Sequence, residues 1–280
     1  MSVSPALRLR PLEIGDLLDE TFRMYRRHFV LFAGISAILS IPSAAIIALV
    51  LGSFTSVLQQ SNGAITDVSF LTPLLTAFAV GLVVSFLILP FTMGAVMYAA
   101  CESALGRPVT AGGVFFGVLG RYFPLLGYWT LFLVALYVSL ALCIVPVVLW
   151  IWIFVLWIVV TPAMFVENIG LGTAMGRSWR LVEGRWWRTF LILFLIVILW
   201  WVVQIALGAF LQLGQILLQL FVSPFIAAAI AAASGQIVGA VVNPLLQIAI
   251  VLLYFDLRVR KEGLDLFQMA YRLSAPPATP

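Results

Sequence analysis

The sequence predicts an all-α integral membrane protein: six transmembrane helices arranged as three hairpin repeats, each preceded by a short cytoplasmic interfacial helix. Three observations carry that expectation. Hydrophobic residues fill 64% of the 280 positions and charged residues 9%, against roughly one quarter charged in soluble domains. Six apolar stretches are long enough to cross a hydrocarbon core of about 30 Å at about 1.5 Å per residue. All fifteen Lys and Arg fall on one side of the membrane when those stretches are threaded from a cytoplasmic N-terminus, as the positive-inside rule requires. Both termini are then cytoplasmic in a multi-pass protein of the cell membrane, and Asp67 is the one charge outside.

Taken in order, residues 11–28 form the first interfacial helix. Ile14, Leu18, Phe22, Tyr25 and Phe29 recur at helical spacing, so one face is apolar and can lie in the membrane plane. Acids Glu13, Asp16, Asp19 and Glu20 come early and bases Arg23, Arg26 and Arg27 late, which suits the helix dipole and allows an Asp19–Arg23 pair. Pro11 fits a first helical turn. No apolar core with a small-residue cleavage site precedes residue 28, so no cleavable signal peptide is expected.

The spans are expected at about 29–54, 74–100, 122–143, 146–166, 187–211 and 235–255. Spans 3 and 4 share one uncharged stretch, divided at Cys143–Pro146 because a proline near a helix start is tolerated better than one in mid-helix. The stretch 215–234 could cross by length. A seventh crossing would place Arg258, Arg260 and Lys261 outside, so it is read as the outer end of span 5 plus a re-entrant or interfacial piece broken at Pro224. After span 6, residues 263–273 resemble a further interfacial helix, with Leu264, Phe267 and Tyr271 on one face. Residues 1–273 thus make a single domain, and 274–280 a disordered tail.

The cytoplasmic segments RPLEIGDLLDETFRMYRRHF (10–29), RPVTAGGVFFGVLGRYF (107–123) and NIGLGTAMGRSWRLVEGRWW (168–187) share a plan. Each starts at Pro or Gly and ends on arginine and aromatics before an odd-numbered span, which suggests a repeat. Each even span ends in an acid: Glu102, Glu167 and Asp256. Acids there oppose the helix dipole unless paired. Arg258 and Arg260 follow Asp256, and Arg177 and Arg180 follow Glu167, so a ring of structural ion pairs is expected, with ion coupling as the alternative.

RSWRLVEGRWWRTF (177–190) carries Arg177, Arg180, Arg185 and Arg188 among three tryptophans. As an interface segment it holds topology and sets Trp179, Trp186 and Trp187 at headgroup level. As a site, its four arginines would converge on anionic lipid headgroups, since guanidinium forks match phosphate oxygens. No recognition fold for nucleic acid accompanies it.

Charge is missing from the span interiors, and amides stand there instead. Gln204, Gly208, Gln212, Gln215 and Gln219 form one helical stripe, and Gln236, Gly239, Asn243 and Gln247 another, with Ser36, Ser40 and Ser43 a weaker third. Such stripes join helices by hydrogen bonds worth about 0.6–2 kcal/mol each, or line a polar groove for a lipid headgroup or uncharged solute. Catalysis lacks parts: His28 is the single histidine and the two cysteines match no ligand spacing, so neither a metal site nor a cofactor is expected. Ser234 has no His or Lys placed to activate it.

VLLYFDLRVRKEGLDL (251–266), with RPLEIGDLLD and Glu167 followed by RSWRL, resembles the bacterial glycerophosphoryl diester phosphodiesterase membrane-domain family over almost the whole chain. The resemblance implies a six-helix membrane bundle. It implies no phosphodiesterase activity, because the barrel with catalytic histidines that names the family has no counterpart in these residues. The expectation is therefore a non-enzymatic membrane module that binds anionic lipid or a protein partner through its cytoplasmic face. The alternative is a carrier or channel for lipid or a small uncharged solute, using the stripes of spans 5 and 6.

Overall fold

In a computed structural model, residues 11–60, 71–141, 144–218 and 220–263 are described. The regular structure among them is entirely helical. The order is α1 (Ile14–Arg27), α2 (Phe29–Gln60), α3 (Leu71–Ala104), α4 (Ala111–Leu119), α5 (Tyr122–Ala141), α6 (Ile144–Trp157), α7 (Val160–Val166), α8 (Leu171–Val182), α9 (Trp186–Leu218) and α10 (Pro224–Glu262). A short helix followed by long ones thus occurs three times, with α6 and α7 together standing in the last place of the middle set.

Six of these segments are long and apolar enough to cross a membrane: Phe29–Ile46, Ala79–Ala104, Tyr122–Ser139, Val148–Val166, Trp186–Leu218 and Ala229–Glu262. The chain is thereby a multi-pass membrane protein by length and composition. Its outward side chains on these helices are themselves apolar, including Val134 and Val138 of α5 and Trp201, Val202 and Ile205 of α9, which matches a solvent of lipid tails.

One expectation is corrected. Among the described residues, the stretch 215–234 holds no helix separate from α9 and α10. Its first residues complete α9, and from Pro224 onward it is the beginning of α10. Pro224 opens that helix, where its missing N–H and fixed φ do no harm. The division of spans 3 and 4 falls as expected, with α5 ending at Ala141 and α6 starting at Ile144, although mid-helix proline is no bar elsewhere in this chain: Pro42, Pro90 and Pro244 all lie inside unbroken helices, since in membranes neighbouring groups re-satisfy the freed carbonyls. Asp67, Gln219, Cys143, the tail helix at 263–273 and the tail 274–280 fall outside the described residues, apart from Gly263.

The chain divides into two compact units. One comprises Met1–Arg27, Met97–Ile196 and Leu245–Pro280. Its core is the second half of α10, where residues 247–257 are all buried, together with the small residues Ala99, Ala100 and Ala104 of α3 and with Val160, Ala163 and Met164 of α7. Small side chains let helix axes approach closely in lipid. The other unit comprises His28–Val96 and Val197–Pro244. Within α1 the charged pair is Arg23–Glu20 at 3.2 Å rather than Arg23–Asp19; the longer Glu side chain reaches across the three-residue spacing.

Candidate functional site

The end of α10 reads YFDLRVRKE over residues 254–262. On a helix, residues four apart share a face and residues two apart do not. Asp256 and Arg260 therefore look one way, and Tyr254, Arg258 and Glu262 another. Two charge centres follow.

The first surrounds Asp256, whose side chain is 0% exposed. Its Oδ1 accepts the Leu12 backbone N–H at 2.8 Å and Arg260 Nε at 2.9 Å. Its Oδ2 accepts Arg188 Nη1 at 2.6 Å. Both arginines then donate a second hydrogen to the Leu12 carbonyl, Arg188 at 2.7 Å and Arg260 at 2.6 Å. The residue just ahead of α1 is thus held on both its N–H and its C=O by side chains from α9 and α10. Arg185 reaches the same corner, donating to the Arg260 carbonyl at 3.1 Å.

The second centre surrounds Glu167, the residue that ends α7. Its Oε1 accepts Arg177 Nε and the Tyr254 hydroxyl, each at 2.8 Å. Arg177 also pairs with Glu262. Arg258 donates to Glu262 at 3.0 Å and to the Tyr254 oxygen at 3.2 Å, and lies 3.7 Å from Glu167. Two arginines thus balance two glutamates. Burial alone would lower the Arg177 pKa, but hydrogen bonds and charge from Glu167 and Glu262 outweigh it, so the guanidinium is held above its usual value.

Beside these, Arg121 of the α4–α5 turn donates to the Asn168 side chain and the Ile169 carbonyl. Asn168 has φ 55, a left-handed conformation that Asn tolerates better than most residues, and it turns the chain from α7 toward α8. Glu102 pairs with Arg107 at 3.1 Å, with Arg107 63% exposed.

The four arginines of 177–190 do not converge. Arg177 joins the Glu167 centre and Arg188 the Asp256 centre, while Arg185 bonds a backbone carbonyl. Arg180 is exposed, and Lys261 Nζ donates to its backbone carbonyl at 2.7 Å, which sets the Lys261 ammonium against the C-terminal end of α8. Arg258 pairs away from Asp256 for the helical reason above, and Arg180 does not reach Glu167. Trp187 is largely exposed and Trp179 borders on exposed; Trp186 donates to the Trp152 carbonyl at 3.2 Å and stacks on Phe190.

The amide stripes are partly used between helices. Asn243 Oδ1 accepts Trp200 Nε1 at 3.1 Å and Gln204 Nε2 at 3.3 Å, and Gln215 Nε2 donates to Ser234 Oγ at 2.7 Å. That serine hydroxyl in turn donates to the Ala231 carbonyl at 2.9 Å, so its proton is committed to the backbone. Gln212 is exposed, Gln236 half-buried, and Gln247 buried with its Oε1 unpartnered. Ser40 and Ser43 bond carbonyls of their own helix. Among the described residues, no three His, Cys, Asp or Glu side chains gather to hold a metal ion.

Sequence reasoning missed Leu12, Tyr254 and Glu262. The i, i+4 spacing of Tyr254, Arg258 and Glu262 was a visible signal; the docking of the Leu12 backbone had none. No family model matches the chain, and comparisons with curated proteins and with solved structures returned no similar protein.

Proposed function

We propose that this protein is a non-enzymatic module of the cell membrane that binds anionic lipid headgroups through its cytoplasmic face. The observation that carries this reading is the pair of bases left over from the internal ion pairs. Segments 167–188 and 254–262 carry seven basic residues against the four acids Glu167, Glu183, Asp256 and Glu262. Arg180 and Lys261 are both exposed, neither has a carboxylate partner among the described residues, and the Lys261 ammonium donates to the Arg180 carbonyl. Basic groups at an anionic surface gain about 1 kcal/mol each, and guanidinium and ammonium groups both suit phosphate oxygens. The one-sided distribution of the fifteen bases supports a cytoplasmic setting for both termini. The short–long order of helices supports three repeats whose short members lie at the interface, and the likeness of the sequence to the phosphodiesterase membrane-domain family supports a six-helix bundle.

The carrier reading is weaker. Gln204 bonds Asn243 and Gln215 bonds Ser234 between α9 and α10, which is what helix-joining stripes do. Gln212 and Gln215 also lie about 40 Å along α9 from Trp186 at about 1.5 Å per residue, beyond a core of about 30 Å.

The test is native mass spectrometry from mixed phosphatidylglycerol and phosphatidylcholine. Arg180→Gln with Lys261→Gln should lower phosphatidylglycerol retention by about 2 kcal/mol, roughly thirtyfold in affinity, with phosphatidylcholine retention unchanged. Equal retention in wild type and double variant would remove the lipid reading.

A further inference from the structure

The three short helices are not alike in what they present. Helix α1 buries Leu17, Thr21, Met24 and Tyr25 and turns Asp19, Arg23 and Arg26 outward. Helix α8 buries Ala174, Ser178, Leu181 and Val182 and exposes Arg180. Helix α4 reverses this: beyond the buried Val114 and Val118, it leaves Phe115 46%, Phe116 71% and Leu119 50% exposed, and Phe123 just after it 80% exposed. Residues 108–120 contain no charge. Clustered large apolar groups of this kind mark a surface that meets another apolar phase.

Two further observations identify that phase. The short connection holding α4 joins the end of candidate span Ala79–Ala104 to the start of candidate span Tyr122–Ser139, so both its ends are pinned where helices leave the bilayer. The helix is also seated firmly: the Thr110 hydroxyl caps it by accepting the Gly113 N–H at 3.2 Å, and Gly117 lies so close to the Tyr98 ring that a Cβ there would overlap it. Tyr98 is backed in turn by an edge contact with Phe165 at 5.3 Å. An uncharged helix fixed at that level with phenyl rings outward meets the boundary between headgroups and acyl chains.

We propose that α4 is a fixed wedge that inserts Phe115, Phe116, Leu119 and Phe123 into the acyl-chain boundary of the leaflet it faces. This contact is apolar and requires no anionic lipid, so it stands apart from the Arg180–Lys261 reading. The probe is p-benzoylphenylalanine in place of Phe116 or, in a second variant, of Phe123, each a replacement of one exposed aromatic by another, in nanodiscs of phosphatidylcholine alone. Irradiation should attach acyl chains at position 116 and at position 123, with loss of those adducts when the same group replaces exposed Asp19 of α1. Adducts confined to headgroups, adducts to a second copy of the protein, or no lipid adduct at 116 and 123 would each overturn the proposal. Because the bilayer carries no net charge, failure of the headgroup reading leaves this outcome unaffected.

Discussion

Asp256 is a fully buried carboxylate held by three donor groups, and that makes it the residue whose loss should matter most. Replacing it by Asn leaves Arg188 and Arg260 without their counter-charge, and breaking a buried pair from one side costs about 3–5 kcal/mol. Glu102 offers the contrast. Its partner Arg107 is mostly in solvent, and exposed pairs contribute about 0–1 kcal/mol. Thermal unfolding in detergent should therefore show Asp256→Asn far below wild type and Glu102→Gln within about 1 kcal/mol of it. Comparable losses in the two variants would mean that Asp256 is solvated after all. The acid at the end of each even span was legible in the sequence. So were two of the partners, Arg260 for Asp256 and Arg177 for Glu167. The backbone donor to Asp256 was not, because Leu12 is 244 residues away and contributes only backbone atoms, which carry no sequence signature.

At the level of the helix, glycine separates the seated α4 from the more open α8. Gly176 sits in mid-α8 with open space for 4 Å around the position a Cβ would take, so Gly176→Ala should stabilise by about 0.5–1 kcal/mol through backbone entropy alone. Gly117→Ala gains the same propensity but drives a methyl into the Tyr98 ring. Overpacking costs about 1–3 kcal/mol, so that variant should be less stable than wild type. Opposite signs for the two substitutions in one unfolding assay are the expected result, and equal stabilisation would show that α4 is loosely held. Helical periodicity made α1 legible as amphipathic. It could not reveal that α4 faces outward with its phenylalanines, since a nine-residue uncharged helix has no polar side to orient it.

Across the whole molecule, the direction of threading can be tested by labelling. Arg26→Cys and Arg180→Cys, both at exposed positions, should resist a membrane-impermeant thiol reagent in intact cells, and Asp67→Cys should react. Modification at position 26 or 180 would defeat the cytoplasmic assignment. The number of crossings could be read from sequence by itself, because hydrophobic length and the placement of charge are properties of composition along the chain, and lipid imposes one length on every span. Span ends were less legible: α9 and α10 run well past the thickness of the hydrocarbon core, since a helix continues as long as its backbone bonds are satisfied and does not stop where the lipid does. What tertiary structure alone decided is which charges are used up inside the protein. Helical spacing already pairs Arg260 with Asp256 and Arg258 with Glu262, but Arg177 looks equivalent to Arg180 in the sequence, and Arg188 has no acid on its own helix. Only packing brings Glu167 and Glu262 to Arg177 and Asp256 to Arg188 and leaves Arg180 and Lys261 exposed, because a charge pair between elements forms where distance and burial permit, and neither is written in the order of residues.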